Sequence, residues 1–123
     1  MLVMLIDDDA LVREVLSDTL SEEGIEVHGL ASAEDAVILL GAGQVPDVLV
    51  TDIDLGAGLS GLDLAGIVRE RHPAAEVILI SGSAPETRYA GLGRRLRFLQ
   101  KPFAPATLAA AIRSAAATQS GIS

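Results

Sequence analysis

The chain has 123 residues and a formal net charge of −8; half its residues are hydrophobic, yet its aromatics are only Tyr89, Phe98 and Phe103. A chain of this length is expected to build one domain over residues 1–123, with 118–123 as a frayed tail and a core of Leu, Ile, Val and Ala. Cysteine is absent, which excludes disulfides and thiolate metal sites, and direct nucleic-acid binding is disfavoured because basic residues gather only at Arg94, Arg95, Arg97 and Lys101.

Residues 2–6 are apolar but far short of the roughly 20 needed to span a bilayer, and no later run approaches that length. They lack a basic flank and lead straight into Asp7, Asp8 and Asp9, which is wrong for a signal peptide. A soluble, cytoplasmic protein with a first strand here is expected. Leu11, Val12, Val15, Leu16 and Leu20 then recur at helical spacing, with Asp9 as the cap and Gly24 as the stop. A second strand at 27–30 leads to Ser32 and Asp35, a capping-box pattern for a helix carrying Ala36, Val37, Leu39 and Leu40 before Gly41.

Residues 48–51 read as the third strand and 61–71 as the third helix, ended by Pro73. A fourth strand is expected at 77–80. The fourth helix, 84–96, has the weakest pattern, because Gly91 and Gly93 each cost about 1 kcal/mol against alanine; it should be short or mobile. Residues 97–99 form a fifth strand, and Pro105 opens a fifth helix with Leu108 and Ile112 inward. This alternation predicts an α/β fold, a three-layer sandwich around a five-stranded parallel sheet. Ligands of such sheets bind beyond the carboxyl ends of the strands.

Those ends carry chemistry. Asp7, Asp8 and Asp9 follow the first strand, Asp52 ends the third, Ser81 the fourth and Lys101 the fifth. Asp and Ser are common at turns and caps, and Asp9 reads as a cap, but a parallel sheet brings all four ends to one edge. Asp7, Asp8 and Asp52 would then repel one another unless a cation were supplied. All-oxygen donors select a hard ion, and magnesium accepts a few carboxylates plus waters at about 2.1 Å. Asp8 and Asp52 are expected to bind it directly and Asp7 partly through water. A carboxylate beside the metal can attack phosphorus, with Lys101 and the Ser81 hydroxyl holding the phosphoryl oxygens. Asp54, two residues on, could overlook that group and influence the water that later removes it.

In this ordered set the sequence resembles the receiver domains of two-component response regulators and hybrid histidine kinases. The carriers are Asp7-Asp8, Thr51-Asp52, Ser81-Gly82 and Lys101-Pro102-Phe103. The resemblance implies a flavodoxin-like strand order 2-1-3-4-5 and Asp52 as phosphoacceptor. It also implies magnesium held by the acid pair, Asp52 and the Asp54 carbonyl, a cis Lys101–Pro102 bond, and Ser81 and Phe98 as switch residues. The partners implied are a histidine kinase or histidine phosphotransfer protein, and a downstream protein at the face of the fourth helix, fifth strand and fifth helix. No conventional enzyme is implied, only self-catalysed phosphorylation and slow dephosphorylation. The chain departs from the family pattern at Gly56, where proline is common, and the stretch from 81 to 101 is short.

Two other readings compete. Asp52-Ile53-Asp54 matches the nucleophile motif of haloacid-dehalogenase-type phosphatases, but there the Asp-x-Asp strand precedes the paired acids, the reverse of this order. The alternative of a receiver-fold binding module without phosphorylation is opposed by the complete acid set. A flavodoxin-like cofactor site would need an anion cradle after the first strand, where this chain carries three negative charges.

Overall fold

Runs such as Leu-Val-Met-Leu-Ile and Val-Leu-Val-Thr, with little polar interruption, suit strands covered on both faces. The computed structural model describes residues 1–82 and 95–119. In it these runs form β1 (Leu2–Ile6), β2 (Glu26–Leu30), β3 (Val48–Asp52), β4 (Glu76–Ser81) and β5 (Leu96–Gln100). All neighbours pair in parallel, in the order β2-β1-β3-β4-β5. The described helices are α1 (Ala10–Glu22), α2 (Ala33–Gly41), α3 (Gly61–Arg71) and α4 (Pro105–Gln119). The fold is thus the expected flavodoxin-like α/β sandwich. None of the described helices is long and apolar enough to cross a membrane.

Strand side chains alternate between two cores. Val3, Leu5, Val50, Ile78 and Ile80 pack with Leu16, Leu20, Leu108 and Ile112 of α1 and α4. Met4, Ile6, Leu49, Val77 and Leu79 pack with Ala36, Leu40, Leu64 and Val68 of α2 and α3. Helix starts follow local capping chemistry. Asp9 accepts from the Leu11 and Val12 amides, Ser32 from Asp35, and Ser60 exchanges hydrogen bonds with Asp63 in a full capping box.

Three features differ from the sequence pattern. Leu11, Val12 and Val15 share the apolar spacing of α1 but stay exposed, at 71%, 38% and 47%; only Leu16 and Leu20 of α1 reach the core. The expected fourth helix, 84–96, lies outside the described residues except for Arg95 and Leu96, and Leu96 begins β5. The fifth predicted helix, α4 here, continues to Gln119, two residues into the expected tail, because Ala115, Ala116 and Ala117 favour propagation.

At the amino edge of the sheet, Glu76 is a fully buried acid at the start of β4. Its oxygens accept separately from Arg95 and Arg97, each at 2.9 Å. Arg69 of α3 adds donors to the carbonyls of Ala75 at 2.8 Å and Arg95 at 2.6 Å. A buried carboxylate is tolerated only when paired in this way. Glu76→Ala is therefore expected to lower unfolding free energy by about 3 kcal/mol, the low end for breaking a buried pair because both arginines also reach water. Urea denaturation measures it, and a loss within about 0.5 kcal/mol, the range of an ordinary surface change, would refute the pairing as a stabilising feature.

Candidate functional site

Register brings the polar strand ends together. Ile6 lies beside Thr51, so Asp7 and Asp52 leave or end their strands at one level. Asp52 lies beside Ile80 and Ser81 beside Gln100, which puts Ser81 and Lys101 one step further along the same edge. The Lys101 amide donates to the Ser81 carbonyl at 2.8 Å.

Asp7 and Asp52 are buried, with 3% and 5% of their surface exposed. Asp8 and Asp54 are exposed, as is Gly82, while Ser81 and Phe98 are half-buried. Phe98 packs against the core beneath α2 and α3. The Lys101 ammonium donates to Asp52 Oδ2 at 2.5 Å, and the Asp54 amide donates to Asp52 Oδ1 at 3.1 Å. Both oxygens of Asp52 are thus oriented, one by a cation and one by its own loop. The Asp9 amide donates to Asp7 Oδ1 at 2.9 Å, and Arg13 donates to the Asp7 carbonyl at 2.7 Å. The Lys101–Pro102 peptide is cis.

Burial pushes the Asp7 carboxyl above its ordinary value; the charges of Asp52 and Asp8 push the same way, against the Asp9 amide and Lys101. Lys101 is pushed up chiefly by its hydrogen bond to Asp52 and so remains charged at neutral pH. The pocket therefore carries more negative charge than its lysine balances, the condition under which a hard cation is favoured. No group of three or more Asp, Glu, His or Cys side chains forms a ready-made metal cage among the described residues. Magnesium, which keeps several waters, does not require one, and the carboxylate and carbonyl oxygens present suit it.

Three contributors lack a signal in the one-dimensional pattern. Gly61 at the start of α3 lies so close to β3 that a Cβ there would stand 1.9 Å from the Asp52 carbonyl oxygen and 2.8 Å from Thr51 Oγ1. Arg13 braces the backbone of Asp7 from α1. Leu11, Val12, Val15 and Phe103, with Asp7 and Lys101, line a cavity of about 450 Å³. Gly56, where the family pattern has proline, has φ +77°, a conformation closed to proline.

Two outcomes test this geometry. Gly61→Ala should destabilise the protein by about 2–3 kcal/mol through overpacking and displace Asp52, measured by denaturation and by the Asp52 amide resonance. The second outcome concerns pH. A carboxyl raised above its unfolded value contributes stability that is complete below about pH 3.8 and is lost as pH rises through the folded-state pKa. Above that window, holding a charge on Asp7 in the fold is a cost, so in divalent-free buffer Asp7→Asn should raise the melting temperature and flatten its fall above about pH 4. An unchanged profile would show that the charge is already compensated.

The family model for the response regulator receiver domain matches residues 3–113. The chain is 34% identical over 103 residues to response regulator protein FleR of Pseudomonas aeruginosa, covering 82% of this chain and 21% of FleR. It spans from about a fifth to about half of the length of the curated relatives it matches first. Its fold superposes on a response regulator receiver protein from Sinorhizobium medicae with TM-score 0.85 and 26% identity, covering 97% and 96% of the two chains. It also matches TrrA from Thermotoga maritima, solved in complex with Mg(2+)-BeF, with TM-score 0.80 and 25% identity, covering 93% of this chain and 97% of TrrA. With the matched residues spanning nearly the whole chain, and with the acids, serine and lysine gathered on one sheet edge, the chain belongs to the response regulator receiver domain family of two-component signalling.

Proposed function

We propose that this receiver accepts a phosphoryl group on Asp52, in a magnesium-dependent reaction, from a phosphohistidine of a histidine kinase or histidine phosphotransfer protein. The observation that carries the reading is the buried Asp52 carboxylate, oriented by Lys101 and the Asp54 amide beside the raised acid Asp7. Asp8, Asp52 and the Asp54 carbonyl would hold magnesium, with Asp7 partly through water. When bound, the ion supplies charge neutralisation for the phosphoryl oxygens.

An Asp52 oxygen attacks phosphorus, the histidine N–P bond breaks, and its electron pair leaves with the donor imidazole, which takes up a proton. Lys101 shifts from the carboxylate to a phosphoryl oxygen, and the Ser81 hydroxyl donates to another. Hydrolysis later returns Asp52 to its carboxylate, with the Asp54 side chain beside the incoming water. The cavity lined by Leu11, Val15 and Phe103 adjoins Asp7 and Lys101 and offers the donor protein an apolar seat beside the acceptor. The movement of Ser81 frees space into which Phe98 turns, altering the face of β5 and α4 for a downstream protein.

Incubation with acetyl phosphate and magnesium followed by mass spectrometry is expected to show one added phosphoryl group on Asp52, none in Asp52→Asn, and magnesium affinity falling steeply in Asp8→Asn. Modification elsewhere, or unchanged metal affinity, would overturn the assignment. Beryllofluoride, standing in for the phosphoryl group on Asp52, should shift NMR signals from Ser81 through Phe98 to α4; shifts confined to the metal pocket would exclude the switch.

A further inference from the structure

The segment between Asp52 and α3 is held at both ends. The Asp54 amide donates to Asp52 Oδ1, and the Gly61 amide donates to the Ile53 carbonyl at 3.0 Å. Its middle has a third anchor from another element. Glu34, in the first turn of α2, accepts the Leu59 amide on Oε2 at 2.8 Å, across 25 positions of sequence. The fit between carboxylate and loop is close. A Cβ on Gly58, whose φ is +87°, would stand 2.3 Å from the same Glu34 oxygen. On the other side of the segment, a Cβ on Gly56 would come within 3.9 Å of Asp8 Oδ2. The loop thus runs from a carboxylate on α2 to within van der Waals reach of the exposed acid of the pocket, and the missing side chain at Gly58 permits the first of these approaches. The Leu59 amide holds the Glu34 carboxyl below its ordinary range, so it is an ionised acceptor at neutral pH.

We propose that Glu34 is a positioning residue for the chemistry at Asp52: by fixing Leu59 it sets how the 54–58 segment lies against Asp8, and hence the affinity for the divalent cation and the rate of phosphoryl uptake. The inference rests on the reading of Asp52 as a magnesium-dependent acceptor and adds a residue outside the pocket to it. Glu34 itself touches neither substrate nor metal. Its influence passes through the backbone of the loop, because the Asp54 carbonyl and the approach of Gly56 to Asp8 both depend on where that backbone lies.

The test compares wild type, Glu34→Ala and Glu34→Gln. Magnesium titrations are followed through the Asp8, Asp54 and Leu59 amide resonances, and phosphoryl uptake from acetyl phosphate by mass spectrometry. Glu34→Ala should weaken magnesium binding and slow uptake by about fivefold, the effect of one solvent-exposed hydrogen bond, with the fold retained. Glu34→Gln keeps an acceptor oxygen and should stay within about twofold of wild type. If Glu34→Ala shifts the Leu59 resonance but leaves affinity and rate as in wild type, the contact is a surface feature only and the proposal fails. If Glu34→Gln falls as far as Glu34→Ala, the carboxylate acts through its charge and positioning is refuted. Wild type that binds no magnesium and takes up no phosphoryl group would remove the underlying reading instead, an outcome distinct from either.

Discussion

Two carboxylates buried side by side at the end of a parallel sheet are the constraint around which this molecule is arranged. Asp7 and Asp52 are nearly inaccessible, and charge repulsion between them opposes folding unless something offsets it. Lys101 offsets part of it by direct contact with Asp52, and the amides of Asp9 and Asp54 offset more. Burial, with the remaining repulsion, keeps Asp7 raised, so the folded protein retains an unmet demand for positive charge at the edge where the ends of β1, β3, β4 and β5 meet. A protein selected for stability alone would replace one of these acids. Keeping both is the pattern expected where stability is traded for a reactive site.

The opposite edge of the sheet solves a similar problem differently. Glu76 is buried more completely than either pocket acid, yet Arg95 and Arg97 meet its two oxygens, and Arg69 ties the adjoining carbonyls together. That network leaves no polar side-chain atom of Glu76 wanting a partner. β4 therefore begins at a neutralised anchor and ends at Ser81, beside a pocket that is not neutralised. One strand joins a closed electrostatic network at one end to an open one at the other, and β5 runs in register beside it.

The helices contribute by proximity more than by side-chain chemistry. α3 approaches β3 through Gly61, so closely that no side chain fits there, and this holds the carbonyl of Asp52 from behind. α1 contributes Arg13 to the backbone of Asp7 and leaves Leu11, Val12 and Val15 facing solvent around the cavity. α2 contributes Glu34 to the loop after Asp52. Each acts through backbone and not on the carboxylates of Asp7 and Asp52 themselves.

Much of this was legible in the chain itself. Apolar runs of strand length, capping residues such as Asp9 and Ser32, and the turn at Gly24 are local, and local energetics decided the described elements, within a residue or two at their ends. The polar strand ends at Asp7, Asp52, Ser81 and Lys101 were likewise visible, because polar residues closing apolar strands stand out, and parallel topology sends them to one edge. Contacts between residues far apart in sequence had no such signal. Nothing in the spacing of Glu34 and Leu59, or of Glu76 with Arg95 and Arg97, distinguishes those charges from a solvated surface. Leu11, Val12 and Val15 fit a core-facing helix by periodicity, yet lie exposed because no described element covers that side of α1. The sequence determined which groups could be reactive; only the folded chain decided which carboxylates are buried, which cation meets them and which loop is held beside them, because burial and pairing depend on distances that no one-dimensional pattern contains.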